Sequence, residues 1–310
     1  MPNVSINEIN KRMKEEPENY ISLCEKEYDN RLSCLCDRTA SEFPGHCLVM
    51  LAGPSSSGKT TTAGILKEKF IQKGRVSKVI SLDDFYRNQC ETYTFEDGTV
   101  DYETVKALDV DYISDCLQKL MTQGSCMLPR FNFITKKREA YSETVLDTDE
   151  IVIVEGLHAL NPVITDPLEG MSMKKLYVSV SSRITDGDNV VMSKRDIRLV
   201  RRMIRDYHFR GSSVERTLYL WNGVRMGEDR YLFPFNDRAD EKIESIHPYE
   251  VCVFKDIAIK LLDLIDANSI YYPTAFELKE KLSRFESYEE KAVPYNSLLR
   301  EFIGPSVYNI

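Results

Sequence analysis

The chain has 310 residues, of which 42% are apolar and 29% are charged, proportions typical of a globular protein that buries a substantial core. Its formal net charge of −8 argues against general nucleic-acid binding, which needs a basic surface. The first residues lack the apolar core of a secretory signal, and no apolar stretch approaches the length of a membrane span.

The eight cysteines include no CxxC pair and have no histidine cluster beside them, so we interpret them as buried free thiols in a reducing compartment. We therefore expect a cytoplasmic protein with neither a membrane nor a nucleic-acid partner. The sequence leaves open whether the chain forms a homo-oligomer.

Helical and apolar segments alternate along the chain. Residues 5–42 are charged, with apolar side chains at helical spacing. Four continuous apolar runs predict strands buried on both faces of a parallel sheet: residues 46–52, 78–82, 151–154 and 175–180. Helical patterns and one hairpin account for most of the rest: helices at 60–73, 109–123 and 196–226, a hairpin at 126–147, and two or three helices from residue 249 onward. The alternation predicts an α/β fold with a parallel sheet flanked by helices.

We expect three regions. Residues 1–45 form an N-terminal helical segment, and residues 46–248 form the core, with an arginine-bearing lid near 198–226. Residues 249–310 form a C-terminal helical extension packed on that core.

Residues 53–60 match the pattern GxxxxGK[ST] in full, between a predicted buried strand and a predicted helix. Gly53 and Gly58 let the backbone curl so that its N–H groups point at phosphate oxygens. Lys59 reaches the β- and γ-phosphates, and the hydroxyl of Thr60 ligates Mg²⁺. The pattern therefore predicts a P-loop that binds ATP with Mg²⁺. The predicted phosphate-binding residues are Gly53, Ser55, Ser56, Ser57, Gly58, Lys59, Thr60 and Thr61.

Acidic residues end two of the predicted strands. Asp83 and Asp84 follow the strand at 78–82, where ligands bind in open α/β sheets, and either carboxylate could accept a proton from a substrate hydroxyl. The alternative is a helix cap or a solvated turn. Glu155 ends the strand at 151–154, where an acidic side chain can hold Mg²⁺; the alternative is a capping glutamate.

Arg198, Arg201, Arg202 and Arg205 share one face of a predicted helix, and Arg210 follows near its end. Arginines at this density can clamp a transferring phosphate. The alternative is a solvated face neutralised by acidic neighbours. Beside a P-loop, we favour a mobile lid over ATP.

Taken together, these motifs resemble the uridine kinase and phosphoribulokinase family of P-loop kinases. The resemblance runs from about residue 46 to the end and rests on six segments: residues 52–61, 80–86, 128–133, 155–162, 201–206 and 296–304. Within that family the sequence is most similar to bacterial uridine-kinase-like nucleoside kinases. Those kinases often carry an N-terminal TGS-type domain that has no counterpart in these 310 residues, so we expect a short or trimmed form.

The resemblance implies roles at matching positions. Asp83, rather than Asp84, would be the catalytic base, and Glu155 would serve the metal. The implied catalytic set is Asp83, Lys59, Arg205 and Arg210, with the two arginines at lid positions that meet phosphates.

The acceptor would lie among a second implied set: Tyr86, Asp101, Phe131, Phe133, Lys136, Arg138 and Arg202. Asp101 falls where family members hold the ribose hydroxyls, and Phe131 and Phe133 fall where aromatic rings flank the base. Two positions depart from well-studied uridine kinases: Lys136 replaces a histidine that touches uracil, and Ser212 replaces an arginine.

The leading interpretation is an ATP- and Mg²⁺-dependent kinase that phosphorylates the 5′-hydroxyl of a small nucleoside-like acceptor. The first alternative is a kinase of the same superfamily that acts on a sugar phosphate or another alcohol. The second, of a different class, is a regulatory nucleotide-binding module without catalysis. A GTPase switch is disfavoured because the sequence lacks an Asn-Lys-x-Asp motif.

Overall fold

A computed structural model describes residues 3–88, 93–96, 98, 101, 103–132, 135 and 137–308. The strands in chain order are β1 (Asn3–Ser5), β2 (Cys47–Ala52), β3 (Ser77–Ser81), β4 (Ser125–Asn132), β5 (Lys137–Val145), β6 (Ile151–Glu155), β7 (Met173–Ser179), β8 (Arg183–Asp186), β9 (Asn189–Met192) and β10 (Glu241–Glu244). The helices are α1 (Ile6–Glu15), α2 (Pro17–Glu42), α3 (Lys59–Gln72), α4 (Val110–Gln123), α5 (Pro162–Thr165), α6 (Lys194–Arg210), α7 (Val214–Tyr231), α8 (Glu250–Leu262), α9 (Tyr272–Ser283) and α10 (Arg300–Ile303).

Five parallel strands form the central sheet in the order β10-β7-β2-β6-β3. β2 lies in the middle and is buried along its whole length. Because side chains alternate across a strand, Leu48 and Met50 enter one core, while Val49 and Leu51 enter the other. Helices cover both faces, which explains the continuous apolar runs in the sequence. The predicted α/β class with a parallel sheet flanked by helices is confirmed.

The predicted hairpin is also present. β4 and β5 pair antiparallel, with an irregularity between Arg130 and Phe131. The hairpin projects from the sheet on the side where the 3₁₀ turn Leu82–Phe85 follows β3. It therefore carries β4 side chains to the carboxyl end of that strand.

The N-terminal segment is built into the rest of the fold. β1 pairs in parallel with β8, in a small sheet that β9 completes. α2 packs along α3, where the hydroxyl oxygens of Tyr28 and Thr62 lie 2.7 Å apart. Glu25 on α2 accepts hydrogen bonds from Tyr249 Oη at 2.5 Å and from Ser297 Oγ at 2.6 Å. Segments far apart in sequence thus meet on one helix.

In the part of the chain that is described, no helix is both long and apolar enough to cross a membrane.

Candidate active site

The P-loop connects β2 to α3, and close contacts explain why glycine occupies two of its positions. A Cβ on Gly53 would lie 2.2 Å from the carbonyl oxygen of Val178. Gly58 has φ +88° and lies against the side chain of Leu298, which a Cβ would meet at 2.5 Å. Ser56 also has a positive φ of 57°, so the loop curls as the motif predicts.

Helices α6 and α7 hold the outer side of this loop. The carbonyl of Ser55 accepts from Arg198 Nε at 2.9 Å, and its Oγ accepts from Arg202 Nη1 at 2.6 Å. The backbone N–H of Ser55 donates to Glu228 on α7 at 2.8 Å, and Glu228 is ion-paired with Arg198. Ser55 is thereby held through three of its atoms, and the backbone N–H of Ser57 donates to the carbonyl of Pro54 within the loop at 3.2 Å.

A cavity of about 470 Å³ opens beside the loop. It brings together many of the residues that the sequence predicted: Ser55, Ser56, Gly58, Lys59, Thr60, Asp83, Tyr86, Phe131, Glu155, Arg202, Arg205 and Arg210. It is also lined by Glu103, Gly156, Leu157, His158 and Glu301, which the sequence analysis did not assign.

The two aspartates after β3 have different surroundings. Asp83 lines the cavity, and its pKa is raised by burial, against the opposing charges of Lys59 and Arg210. Asp84 turns away and accepts a hydrogen bond from the backbone N–H of Phe131 at 3.1 Å. Asp84 therefore anchors the hairpin, whereas Asp83 faces the P-loop.

Glu155 lies at the end of β6, on the cavity wall. Its carboxylate accepts a hydrogen bond from Ser81 Oγ at 2.8 Å. Burial, with a smaller contribution from the negative charge of Asp83, raises the pKa of Glu155 to about 7. A cation bound beside such a carboxylate would stabilise its ionised form.

The donors present fit ATP and Mg²⁺. The hydroxyls of Ser56 and Ser57 are buried with no hydrogen-bond partner in the described part of the chain, as expected of groups inside a phosphate loop. Thr60 is exposed toward the cavity, which Glu155 also lines. A hydroxyl and a carboxylate are the oxygen ligands that Mg²⁺ takes from protein beside substrate phosphates.

Two aromatic side chains, those of Tyr86 and Phe131, also line the cavity. The ring centroids of Tyr86 and Phe131 are 5.5 Å apart, with the planes tilted by 45°. Phe133 and Lys136 lie outside the described residues. The rings of Tyr86 and Phe131 give the cavity an apolar surface.

Some predicted residues do not line the cavity. Asp101 is buried and accepts hydrogen bonds from Tyr231 Oη at 2.6 Å and from the N–H of Glu103 at 3.2 Å. Arg138 donates to the carbonyls of Tyr86, at 2.9 Å, and Phe85, at 2.8 Å. In this structure both residues brace the segments around the cavity, because their polar atoms already have protein partners.

Three predicted loop residues also lie behind the cavity surface. Gly53 packs on β7, Ser57 is fully buried, and Thr61 Oγ1 donates to Glu301 at 2.8 Å. They shape the loop from within the fold.

The arginines of α6 fall into two groups. Arg198 and Arg201 point inward and are ion-paired with Glu228 and Glu250 respectively. Arg201 has no exposed surface. The side chains that line the cavity are those of Arg202, Arg205 and Arg210. The alternative of a solvated arginine face is therefore wrong for Arg198, Arg201 and Arg205, which are buried. Of the arginines that we assigned to the favoured lid, Arg198 and Arg201 do not line the site.

Glu103 and His158 are two titratable residues that line the cavity although no motif in the sequence singled them out. Burial raises the pKa of Glu103 to about 7, opposed by the charge of Arg202. Burial lowers the pKa of His158 to about 4, so this imidazole is neutral at pH 7. For Glu103, nearness to Asp101 was an available signal; His158 follows the Glu-Gly motif by two residues.

Comparisons with known proteins agree with this site. Residues 48–251 match the family model described as the phosphoribulokinase / uridine kinase family. A uridine kinase of Bacillus pumilus (strain SAFR-032) is 28% identical over 195 residues, 62% of this chain and 83% of that protein. A uridine kinase of Bacillus licheniformis is 26% identical over 227 residues, 72% of this chain and 97% of that protein.

Among solved structures, one described as a possible uridine kinase from Bacillus stearothermophilus covers 69% of this chain and 97% of its own. Its identity is 16% and its TM-score 0.47. The family match spans more than half of the chain and includes the P-loop, Asp83 and Glu155. The protein therefore belongs to the phosphoribulokinase / uridine kinase family of kinases.

Proposed function

We propose that the protein transfers the γ-phosphate of ATP, with Mg²⁺, to the 5′-hydroxyl of a nucleoside. The observation that carries this proposal is that Asp83 shares one cavity with Lys59 and Thr60 of the P-loop and with the aromatic pair Tyr86 and Phe131. Relatives named uridine kinase support the nucleoside as acceptor.

Asp83 is the proposed base. The acceptor hydroxyl donates its hydrogen bond to this carboxylate and loses its proton to it as the oxygen bonds to the γ-phosphorus. The bond from that phosphorus to the β,γ-bridging oxygen breaks, and ADP leaves. Burial makes the carboxylate a stronger base, while Lys59 and Arg210 oppose the rise in its pKa and so favour the ionised form.

The cations around the cavity stabilise the transferring phosphate. Lys59, Arg205 and Arg210 are the proposed contacts to its oxygens. Thr60 and Glu155 would hold Mg²⁺, which neutralises phosphate charge when it is bound. The P-loop N–H groups and the N-terminus of α3 would bind the remaining phosphates.

The nucleoside base would lie on Tyr86 and Phe131, together with Phe133 on sequence grounds. Aromatic stacking accepts any base, so selectivity has to come from hydrogen bonds at the edge of the ring. Lys136 stands in the sequence where relatives carry a histidine, and it is the proposed reader of that edge.

A sugar phosphate is the second candidate acceptor. The three arginines Arg202, Arg205 and Arg210 line the cavity in addition to Lys59, and their guanidinium groups are suitable donors to a phosphate carried by the acceptor itself.

A labelled-phosphate assay separates these proposals. The protein would be incubated with γ-labelled ATP, Mg²⁺ and uridine, cytidine, adenosine, guanosine, inosine or a pentose phosphate, with Asp83→Asn as the inactive control. We expect label in a nucleoside 5′-monophosphate. Label in the pentose phosphate alone would replace the nucleoside with the second candidate. ATP binding without transfer to any acceptor would favour a nucleotide-binding module.

A further inference from the structure

A carboxylate from the far end of the chain reaches the phosphate side of the cavity. Glu301 on α10 lines the cavity although the family match ends at residue 251. Its side chain is buried, and its Oε2 accepts the hydrogen bond from Thr61 Oγ1 at 2.8 Å. Its Oε1 lies 3.8 Å from Nη1 of Arg205. One carboxylate thus links the first turn of α3 to α6.

The guanidinium of Arg205 is held from two directions. Its Nε and Nη2 donate to Asp206 Oδ1 at 3.0 and 2.9 Å, so Nη1 is the nitrogen left facing Glu301. A separation of 3.8 Å is too long for a hydrogen bond. Glu301 therefore attracts this nitrogen electrostatically without accepting a hydrogen bond from it. The hydrogens on Nη1 stay available to a ligand oxygen.

The segment that carries Glu301 is firmly anchored. Ser297 donates to Glu25 on α2, and Leu298 packs against Gly58 of the P-loop. The ring of Phe302 lies 5.1 Å from the guanidinium of buried Arg201. Because its backbone is fixed to both the P-loop and α6, Glu301 can set the position of a neighbouring side chain.

We propose that Glu301 is a positioning residue for phosphoryl transfer: it holds Nη1 of Arg205 toward the γ-phosphate and fixes the hydroxyl of Thr61. This inference rests on the proposed function, in which Arg205 contacts the transferring phosphate. It extends the site beyond residues 48–251, the span of the family model, to the last described helix.

Glu301→Gln tests the proposal because it keeps the shape and removes the charge. Calorimetry would compare the affinity for a non-hydrolysable ATP analogue with that for ADP, both with Mg²⁺. We expect the affinity for the analogue to fall on the order of tenfold and that for ADP by less than about threefold, because only the analogue carries a γ-phosphate. We expect kcat to fall on the order of tenfold, with a smaller change in KM. Glu68→Gln is the matched control: Glu68 accepts from Tyr308 Oη of the same C-terminal segment at 3.1 Å but is exposed and does not line the cavity.

A double-mutant cycle distinguishes positioning from other roles. In an Arg205→Gln background, Glu301→Gln should cause no further loss of analogue affinity or kcat, since the side chain it positions is gone. Three results would each overturn the proposal. They are equal losses of affinity for ADP and the analogue, a full loss from Glu301→Gln in both backgrounds, and unchanged or tighter binding of the analogue. Melting curves would check that each variant folds. If Glu301→Gln does not fold, Glu301→Asp would replace it, with an intermediate loss of analogue affinity and kcat expected. If the wild type phosphorylates no nucleoside, the proposed function fails, yet the comparison of the analogue with ADP still decides the role of Glu301.

Discussion

Lys59 contributes its charge to the cavity and little to the core. Its Nζ donates to the carbonyl of Pro54 at 3.1 Å and lies at the cavity surface. We expect Lys59→Ala to abolish measurable turnover of ATP, while the free energy of unfolding changes by no more than about 0.5 kcal/mol. Steady-state kinetics and urea denaturation would measure the two effects. Turnover like that of the wild type would remove the P-loop lysine from the mechanism.

Asp83 and Asp84 should behave differently although they are adjacent. Asp83→Asn should retain the ATP analogue and lose about 10²–10⁴-fold in kcat, because an amide cannot take the proton. Asp84→Asn keeps an oxygen that accepts from the N–H of Phe131, so a smaller loss is expected. Single-turnover measurements with saturating ATP would compare the two variants. If the larger loss belonged to Asp84→Asn, the base would have been assigned one residue too early.

Glu103 makes stability depend on pH. Its pKa is raised from an ordinary value of 4.5 to about 7 by burial, so the folded state binds more protons than the unfolded state between these values. Stability is therefore lost as the pH rises from about 4.5 to about 7. Glutamine cannot ionise, so the stability gained by Glu103→Gln should be larger at pH 8 than at pH 5, by on the order of 1–2 kcal/mol.

Urea denaturation in magnesium-free buffer would measure this difference. An equal gain at both pH values would mean that Glu103 titrates normally in the folded protein.

For individual residues, the sequence predicts a role when the residues that act together form one contiguous segment. The P-loop was predicted whole, because its glycines, lysine and threonine act from one short segment. Glu301 lies 240 residues from Thr61, and no local pattern connects the two. Asp101 shows the opposite case. Its position in the family motif implies contact with the ribose hydroxyls, whereas in the structure its carboxylate accepts a hydrogen bond from Tyr231 at the end of α7.

The hairpin of β4 and β5 is the element on which acceptor selectivity should depend. It brings Phe131 beside Tyr86, and Asp84 and Arg138 hold it to the sheet. Its pairing shifts register between Arg130 and Phe131, where Glu139 is the extra residue on β5. Phe131 is buried and lines the cavity, whereas Arg130 beside it is exposed.

Lys136, outside the described residues, should give relaxed selectivity or a preference for bases with a carbonyl at the edge that it reads. A lysine donates but cannot accept, so it cannot bind the amino group of cytosine as a neutral histidine can. We expect Lys136→His to raise kcat/KM for cytidine relative to uridine. Measured values for uridine, cytidine, adenosine, guanosine and inosine would test this. A strong preference of the wild type for cytidine would contradict the hydrogen-bond argument.

The elements that the sequence missed are short or polar. β10 reads Glu-Lys-Ile-Glu, with one buried apolar side chain, and β1 has three residues. Both pair with strands that are distant in sequence, so tertiary contacts, rather than propensity, decide their conformation. The arginines of α6 were also partly misjudged, because their buried partners lie on α7 and α8.

On the scale of the whole molecule, Glu25 joins α2 to the beginning of α8 and to the C-terminal segment. It accepts hydrogen bonds from Tyr249 and Ser297. Glu25→Ala would leave these hydroxyls without their partner and should lower the free energy of unfolding by about 1–3 kcal/mol. Glu27→Ala, an exposed change on the same helix, should cost less than about 0.5 kcal/mol. Urea denaturation of both variants would measure the difference, and equal effects would show that Glu25 does not join these segments.

The long separation between Thr61 and Glu301 also has a consequence for biosynthesis. At about 5–20 residues per second, a ribosome needs on the order of 10–50 s to travel from one to the other. During that time the P-loop exists without the carboxylate on Arg205 and without Leu298 against Gly58. A nascent chain therefore lacks these two contacts of the nucleotide site, and whatever they add to the stabilisation by bound ATP becomes available only after α10 has been released.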